Sequence, residues 1–214
     1  MNITNDKVTA YIDGLYHPLN EQLAALREEA EKAGVPIILR DTETFLLNLL
    51  RIRKPLTILE IGTAIGYSAA CMAVTCPSSR IITIEADAQA CMEARENLEK
   101  MGLSDRVEVL YGPGQVVLDQ LLGPFDFVFI DASKSHYRTF WDKAVPLCCS
   151  DAMIICDNVL MKGMTVSEEY DPRQKHKTHI RNLREFLTYI TQTNCADTSV
   201  LPIGDGVSFS VLRG

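Results

Sequence analysis

Three polar residues follow two apolar segments of the sequence, and their side-chain oxygens could bind a hard metal ion. Asp131 follows the apolar run 126–130, and Asp157 and Asn158 follow the run 152–156. Two carboxylates and one amide are hard oxygen ligands that leave coordination positions open, which suits Mg²⁺. The histidines and cysteines show no zinc spacing. We therefore predict a magnesium-type site at Asp131, Asp157 and Asn158.

Lys134 lies three residues after Asp131 and would sit beside that ion. A nearby cation and apolar walls favour the neutral form of a lysine side chain. Lys134 is therefore a candidate general base for a hydroxyl group that the metal has already acidified. An ordinary surface lysine is the alternative interpretation of this position.

The stretch from Thr57 to Ser68 has the pattern of a buried strand, a glycine turn and a helix start. Free backbone N–H groups at a helix start suit an anionic or polar ligand. The spacing of Gly62 and Gly66 differs from the G-x-G-x-x-G of a dinucleotide site. Glu60 precedes the first glycine, where it would repel a phosphate. We therefore expect a ligand with positive character and a small carboxylate, although an ordinary α/β turn would read the same way.

A further carboxylate, Glu85, ends the next apolar segment, 81–85. A carboxylate at that place can accept hydrogen bonds from both hydroxyls of a ribose. Any one of these polar residues at a strand end could instead be a helix cap. Taken together, they are better explained as a ligand site.

The elements that must position these residues alternate regularly along the chain. Apolar strands separated by helical segments predict a doubly wound, mostly parallel sheet covered on both faces. The last two strands flank the turn 204–206 and predict an antiparallel hairpin. Ligands bind beyond the carboxyl ends of the strands in such sheets, so the polar residues should meet there. The predicted strands are 57–61, 81–85, 106–111, 126–130, 152–156, 199–203 and 207–212.

The residues before the first strand read as helices without strands of their own. The first helix is predicted within 1–17, the second extends from Leu19 to Gly34, and the third is capped by Asp41. We expect these helices to cover one end of the sheet or to form a subunit contact. Since no linker is visible, we predict one domain over 1–214, with a helical cover at 1–54 and a cofactor-binding sheet at 55–214.

Composition limits the class of protein. A hydrophobic fraction of 47% is ample for a large core. The sequence shows neither a long apolar run nor a signal-peptide pattern, which predicts a soluble, cytoplasmic protein without a membrane partner. The net charge of −7 opposes a general nucleic-acid coat but allows a local basic surface. Seven cysteines without a C-x-x-C pair read as reduced thiols.

In combination, these motifs resemble the metal-dependent class I O-methyltransferases of the catechol and caffeoyl-CoA type. The resemblance covers about residues 35–214 and implies a Rossmann-like methyltransferase sheet of seven strands, S-adenosylmethionine and Mg²⁺ as cofactors, and a homodimer. The motifs that carry it are Glu60-x-Gly62-x-x-x-Gly66-Tyr67-Ser68, Thr83-Ile84-Glu85, Asp131-Ala132-Ser133-Lys134 and Asp157-Asn158.

The same resemblance assigns roles to individual residues. Ser68 would hold the methionine carboxylate of the cofactor and Glu85 its ribose, while Asp131 and Lys134 would be the catalytic residues. Gln115 matches the pattern of the catechol enzymes and could contact the adenine amine. The implied cofactor-binding set is Ile38, Glu60, Gly62, Ser68, Glu85, Gly112, Pro113, Gln115 and Asp131, and the implied metal ligands are Asp131, Asp157 and Asn158.

Within this family, the chain is most similar to bacterial tRNA methyltransferases that act on 5-hydroxyuridine at the wobble position. The similar stretches are 35–38, 58–69, 157–163 and 202–206. The 5-hydroxyl of 5-hydroxyuracil lies beside the 4-carbonyl, so both oxygens can chelate one metal, as those of a catechol do. A basic run could bind the backbone of an anticodon loop: Arg173, Lys175, Lys177 and Arg181.

Two alternatives stay open. The first is a small-molecule catechol or hydroxycinnamoyl-CoA O-methyltransferase, which uses the same chemistry on another substrate. The second is a nicotinamide-dependent oxidoreductase or a non-catalytic nucleotide-binding module. The missing G-x-G-x-x-G and the set of Asp131, Asp157 and Asn158 disfavour it, because hydride transfer does not need a metal site.

Overall fold

The computed structural model describes residues 5–214 of the chain, apart from the side chain of Glu168. The strands form one seven-stranded sheet in the order β3-β2-β1-β4-β5-β7-β6, with their bounds as follows: β1 Thr57–Ile61, β2 Arg80–Glu85, β3 Val107–Tyr111, β4 Phe125–Ile130, β5 Cys148–Cys156, β6 Ala196–Leu201 and β7 Val207–Leu212. The first five strands are parallel, and β7 runs antiparallel to both of its neighbours. The predicted mostly parallel, doubly wound sheet with an antiparallel C-terminal hairpin is confirmed.

Both faces of the central strands are buried, which explains their continuous apolar sequences. Alternate residues enter different cores, because successive side chains of a strand point to opposite faces. Ile58 and Phe127 belong to one core, whereas their neighbours Leu59 and Val128 belong to the other.

Eight α-helices surround the sheet in the described part of the chain. One core contains side chains of α2 to α5, and the opposite core contains side chains of α7 and α8. The helices are α1 Asp6–Asp13, α2 Glu21–Ala33, α3 Arg40–Arg53, α4 Tyr67–Thr75, α5 Ala88–Lys100, α6 Gly114–Val117, α7 Tyr137–Ala144 and α8 Lys177–Gln192. None of these described helices is both long enough and apolar enough to cross a membrane.

The N-terminal helices follow the sequence prediction with one correction. Residues 1–4 of the first predicted helix lie outside the described residues. Gly34 ends α2 with a left-handed φ of 71°, as its glycine indicates. Asp41, however, does not cap α3. This helix begins at Arg40, and the Asp41 carboxylate instead accepts a hydrogen bond of 2.8 Å from the Gly204 N–H of the distant hairpin turn.

The strand bounds differ from the predicted ones mainly in two places. β5 begins at Cys148, before the predicted position, and its pairing with β4 contains an irregularity between Phe125 and Phe127. β6 covers Ala196–Leu201 rather than 199–203. As an edge strand, β6 has polar residues that weaken its sequence signal, and Pro202 cannot donate a ladder hydrogen bond.

Candidate active site

A cavity of about 860 Å³ opens at the carboxyl ends of β1, β2, β4 and β5. This is the crevice where the strand order reverses and where ligands bind in doubly wound sheets. Among the predicted site residues, Glu60, Gly112 and the four basic residues are not in its lining. The predicted residues that line it are Ile38, Gly62, Ser68, Glu85, Pro113, Gln115, Asp131, Lys134, Asp157 and Asn158.

Gly62 follows β1 and lines the cavity, and its position leaves no room for a side chain. Its φ is 103°, and a Cβ atom there would lie 2.0 Å from the backbone oxygen of Asp131. Only glycine combines that backbone conformation with such a close approach. The close contact brings the loop after β1 directly against Asp131, the residue that follows β4.

Glu60 lies beneath the cavity rather than in its wall. Its fully buried carboxylate accepts hydrogen bonds of 2.5 Å from the hydroxyls of Ser68 and Thr83. Burial raises the pKa of Glu60 to about 7, although both hydroxyls act to lower it. Glu60 therefore acts on the cavity through Ser68, which does line it.

Glu85 is held at the rim of the cavity by backbone groups. Its two carboxylate oxygens accept hydrogen bonds of 2.8 Å from the Ala64 N–H and 2.9 Å from the Asp87 N–H. Carboxylate oxygens have further lone pairs, so Glu85 can still accept hydrogen bonds from a diol.

The residues predicted as metal ligands and base meet at one point. The Lys134 Nζ atom lies 2.7 Å from Asn158 Oδ1 and 3.2 Å from Asp131 Oδ1. Asp157 is fully buried, and its Oδ1 atom accepts a hydrogen bond of 2.6 Å from the Asn158 N–H. The Oδ2 atom of Asp157 is also buried and has no hydrogen-bond partner among the described residues.

This arrangement fits a cation. A buried carboxylate oxygen without a partner is costly, and a bound cation would satisfy it. Burial and the neighbouring Asp131 raise the pKa of Asp157 well above its usual range. A cation bound at this point would lower the pKa of Asp157 and favour its ionised form. Within the described residues, no three His, Cys, Asp or Glu side chains form a metal cluster, so the candidate set depends on the Asn158 amide.

The structure adds a carboxylate that the sequence interpretation missed. Asp205 lies in the turn between β6 and β7 and lines the cavity. Burial raises its pKa, whereas the nearby Lys162 and Lys134 lower it. A signal was present, because the turn 204–206 precedes an antiparallel strand and must therefore lie at the same edge of the sheet as the other candidates.

A buried polar network behind the cavity was also missed. The Arg27 side chain donates hydrogen bonds to Glu43 Oε2 at 2.6 Å, to the Ile38 carbonyl at 2.8 Å and to Tyr67 OH at 3.0 Å. Tyr67 in turn donates to Glu43 Oε2 at 2.9 Å. Ile38 and Tyr67 line the cavity, so the network connects α2 and α3 with the cavity wall. Its signal was Arg27 itself, a charged residue on the apolar face of α2.

The four basic residues Arg173, Lys175, Lys177 and Arg181 are exposed and lie outside the cavity. Their segment borders it, because α8 packs against the turn 134–136, whose Lys134 and His136 line the cavity. The buried Asp171 shapes the segment by accepting hydrogen bonds from the Lys175 and His176 N–H groups.

Other basic residues do not extend this surface. Arg51 and Lys54 line a separate cavity beside Leu56, at the amino end of β1. Arg53 approaches Cys149 at the beginning of β5. These three residues therefore lie at the opposite edge of the sheet. Arg40 is paired with Glu31 at 2.7 Å.

The comparison with known proteins gives a match to a family model described as O-methyltransferase, over residues 15–213. The chain belongs to the O-methyltransferase family. The matched range includes the whole sheet, the cavity and the helices α2 and α3.

Individual relatives of this O-methyltransferase agree with the family match. A catechol O-methyltransferase of Niastella koreensis is 29% identical over 220 residues, with 97% of each chain covered. A caffeoyl-CoA O-methyltransferase of Eucalyptus gunnii is 28% identical, with 96% of this chain and 87% of that protein covered. The crystal structure of an O-methyltransferase from Bacillus cereus in complex with SAH superposes with a TM-score of 0.83 at 28% identity, with 97% of each chain covered.

These comparisons confirm the Rossmann-like methyltransferase fold and the membership in the O-methyltransferase family. The relatives of the catechol and caffeoyl-CoA type agree with the predicted subgroup, and the SAH-bound structure supports S-adenosylmethionine as the cofactor. The Mg²⁺ site, the individual residue roles and the tRNA substrate stay predictions.

Proposed function

We propose that this protein is an S-adenosylmethionine- and Mg²⁺-dependent O-methyltransferase whose substrate presents a hydroxyl group with a second oxygen beside it. The observation that carries the proposal is the position of the Lys134 ammonium at the cavity, in contact with both Asp131 and Asn158. The buried Oδ2 atom of Asp157, which has no hydrogen-bond partner in the described part of the chain, supports the same cation site.

Asp131, Asp157 and Asn158 would hold the metal ion. When bound, Mg²⁺ supplies a Lewis acid that makes a coordinated hydroxyl group more acidic and orients it. Two adjacent oxygens on the substrate would use the coordination positions that three protein ligands leave open. This geometry favours catechol-like substrates over isolated hydroxyl groups.

Lys134 would act on the substrate proton. Its amino group lies at the predicted metal ligands and, in the neutral form, can accept the proton of the substrate hydroxyl. When protonated again, it would offset the negative charge of the two nearby aspartates.

Residues at the carboxyl ends of β1 and β2 and at the start of α4 would hold the cofactor. Ser68 and the N-terminus of α4 can bind its carboxylate, and Glu85 can accept hydrogen bonds from its ribose hydroxyls. Ile38 and Gly62 flank this part of the cavity, where Gln115 offers an amide to the adenine. Alignment of a bound donor and acceptor can contribute roughly 7–11 kcal/mol to catalysis.

A small catechol-like molecule is the substrate that the named relatives favour. A second candidate is 5-hydroxyuridine in the tRNA anticodon loop, favoured by the exposed basic residues Arg173, Lys175, Lys177 and Arg181 beside the cavity. Both substrates present the same pair of adjacent oxygens, so the difference between them lies outside the reacting centre.

A transfer assay tests the proposal. The purified chain is incubated with labelled S-adenosylmethionine, Mg²⁺ and, separately, a catechol, caffeoyl-CoA and tRNA carrying 5-hydroxyuridine. We expect label in at least one acceptor and loss of transfer in excess chelator. Transfer at the full rate in excess chelator would refute the role of the metal.

The same assay separates the two substrates. Reversing the charge of Lys175 and Lys177 to Glu should weaken tRNA methylation by about tenfold or more, because phosphate contacts are lost. Methylation of a small catechol should not change. Unaltered 5-methoxyuridine in the tRNA of a deletion strain would exclude the tRNA candidate.

We further propose a cytoplasmic homodimer with each chain as a single domain. The exposed apolar side chains Val8, Tyr11, Ile12 and Leu15 on and after α1 support a subunit contact. Light scattering of the wild type and of a Tyr11→Lys/Ile12→Lys variant tests it, since the variant should be monomeric.

A further inference from the structure

The loop that follows β5 has an unusual backbone conformation. Asn158, Met161 and Lys162 have positive φ values of 52°, 46° and 54°. Non-glycine residues adopt this conformation rarely, and they keep it only where the surroundings impose it. The loop carries two residues that line the cavity, Lys162 and Asn158, and the Asn158 side-chain oxygen contacts Lys134.

The turn between β6 and β7 imposes this conformation through three hydrogen bonds. The Val159 N–H donates to the Gly206 carbonyl at 2.8 Å, and the Leu160 N–H donates to the Asp205 carbonyl at 3.1 Å. The third bond is different, because the Lys162 N–H donates to a side chain, the Asp205 carboxylate.

The two segments are in direct backbone contact. A Cβ atom at Gly206 would lie 2.4 Å from Leu160 Cγ and 2.7 Å from the Leu160 nitrogen. The Asp205 carboxylate is therefore held close to the left-handed part of the loop.

On the side facing away from the loop, the turn between β6 and β7 is held by α3. The Gly204 N–H donates to Asp41 Oδ2 at 2.8 Å, and a Cβ atom at Gly204 would lie 2.2 Å from Thr42 Oγ1. Since Asp41 and Thr42 belong to α3, the turn is fixed between this helix and the loop. The turn that carries Asp205 is thus anchored to α3 as well as to the loop.

We propose that Asp205 is a positioning residue for the acceptor side of the active site. By accepting the hydrogen bond of the Lys162 N–H, it holds the loop 158–163, with its left-handed residues Asn158, Met161 and Lys162, in place and keeps Asn158 and Lys162 in the cavity lining. The consequence for catalysis rests on the proposed function, whereas the consequence for the loop does not. On the cofactor side, Gly62 follows β1, Ser68 lies in the first turn of α4 and Glu85 ends β2, so cofactor binding should be independent of Asp205.

The test compares Asp205→Ala with Asp205→Asn in the full chain. Asparagine keeps an acceptor oxygen but loses the charge, whereas alanine loses both. In Asp205→Ala we expect the backbone amides of 159–163 to exchange hydrogen about tenfold faster or more. The KM for the methyl acceptor and the Mg²⁺ concentration for half-maximal rate should rise by a similar factor, while the Kd of S-adenosylhomocysteine stays within about twofold. In Asp205→Asn, the amide exchange, the KM and the Mg²⁺ concentration for half-maximal rate should stay close to those of the wild type.

A matched control is Asp197→Ala. Asp197 is an exposed carboxylate on the same hairpin and is paired with Arg213, so its removal should change neither loop exchange nor KM. Wild-type exchange of 159–163 in Asp205→Ala would overturn the proposal, as would an Asn variant as impaired as the Ala variant. Weaker S-adenosylhomocysteine binding in Asp205→Ala would also contradict it. Hydrogen exchange tests the positioning role of Asp205 even if no methyl acceptor is found. A failure of the proposed function can therefore be told apart from a failure of the positioning role.

Discussion

Ser68 Oγ donates a hydrogen bond of 2.5 Å to the fully buried carboxylate of Glu60. A hydroxyl group carries a single hydrogen, so an ionised Glu60 directs that hydrogen away from the cavity. When Glu60 is protonated, its own O–H can donate to Ser68, which frees the Ser68 hydrogen for an anionic group in the cavity. Because burial raises the pKa of Glu60 to about 7, both forms occur near neutral pH.

Binding of S-adenosylhomocysteine should therefore take up a proton. If its carboxylate requires the Ser68 hydrogen, its affinity should decrease by up to about tenfold per pH unit above pH 7. Asp131 and Glu85, the other charged groups that act on Glu60, raise its pKa further. Calorimetry at pH 6 and pH 8, in buffers of different ionisation enthalpy, measures the number of protons taken up on binding. A Glu60→Gln variant should bind with little pH dependence, and a wild-type Kd independent of pH would contradict the expectation.

Glu60 should also make the stability of the protein depend on pH. Folding raises its pKa from 4.5 to about 7, so the folded state binds more protons than the unfolded chain between these values. The stabilisation is complete below pH 4.5 and is lost as the pH rises through about 7. The shift corresponds to roughly 3 kcal/mol. Urea unfolding should show Glu60→Gln to be more stable than the wild type at pH 8, with a smaller difference at pH 5. The same difference at both pH values would show that the carboxyl group is not responsible.

Removing Arg27 should destabilise the protein strongly. Its buried ion pair with Glu43 has an N–O distance of 2.6 Å, and Arg27→Met leaves the buried Glu43 carboxylate without this positive charge. The free energy of unfolding should fall by about 3–5 kcal/mol. Arg40→Met is the matched control, because its pair with Glu31 is partly exposed and should contribute less than about 1 kcal/mol. Equal losses in the two variants would contradict this view of the network.

Comparing Gly62→Ala with Gly34→Ala should separate the backbone strain of a positive φ from the steric collision of an added Cβ atom. At Gly34, with a φ of 71°, a Cβ atom meets nothing within 4 Å, so Gly34→Ala should cost only about 1 kcal/mol of backbone strain. At Gly62 the Cβ atom would also collide with the Asp131 backbone. Gly62→Ala should therefore weaken S-adenosylhomocysteine binding by about tenfold or more, as fluorescence or calorimetric titration can measure. Unchanged affinity would mean that the loop after β1 can shift without weakening ligand binding.

The residues at the carboxyl ends of the parallel strands were predictable because local sequence determines their place. Three of the apolar runs end in, or are followed by, a carboxylate, and parallel strands bring these ends to one edge of the sheet. That is why Glu85, Asp131 and Asp157 could be placed around one cavity without a structure. The strand β7 could be placed for the same reason, since its alternating pattern is clear.

Features that depend on contacts between distant segments were not predictable in this way. Asp41 resembles a helix cap in the sequence, yet its carboxylate binds a backbone group 163 positions later. The turn 204–206 places Asp205 at the right edge of the sheet, but its contact with the Lys162 N–H is not contained in the local sequence. Two partners of Arg27, Glu43 on α3 and Tyr67 on α4, likewise lie on other elements. Composition and periodicity do not predict such contacts between residues that are far apart in the sequence.

The most direct test of the proposed metal site is the rate of methyl transfer by Asp157→Ala as a function of Mg²⁺ concentration, with the Kd of S-adenosylhomocysteine measured in parallel. Asp157 is buried and its Oδ2 atom has no partner within the described chain, so removal of its carboxylate should not unfold the protein. We predict that metal-dependent turnover falls by at least about a hundredfold, while the Kd of S-adenosylhomocysteine changes by less than about threefold. A variant that keeps the wild-type rate and the wild-type Mg²⁺ dependence would contradict the account.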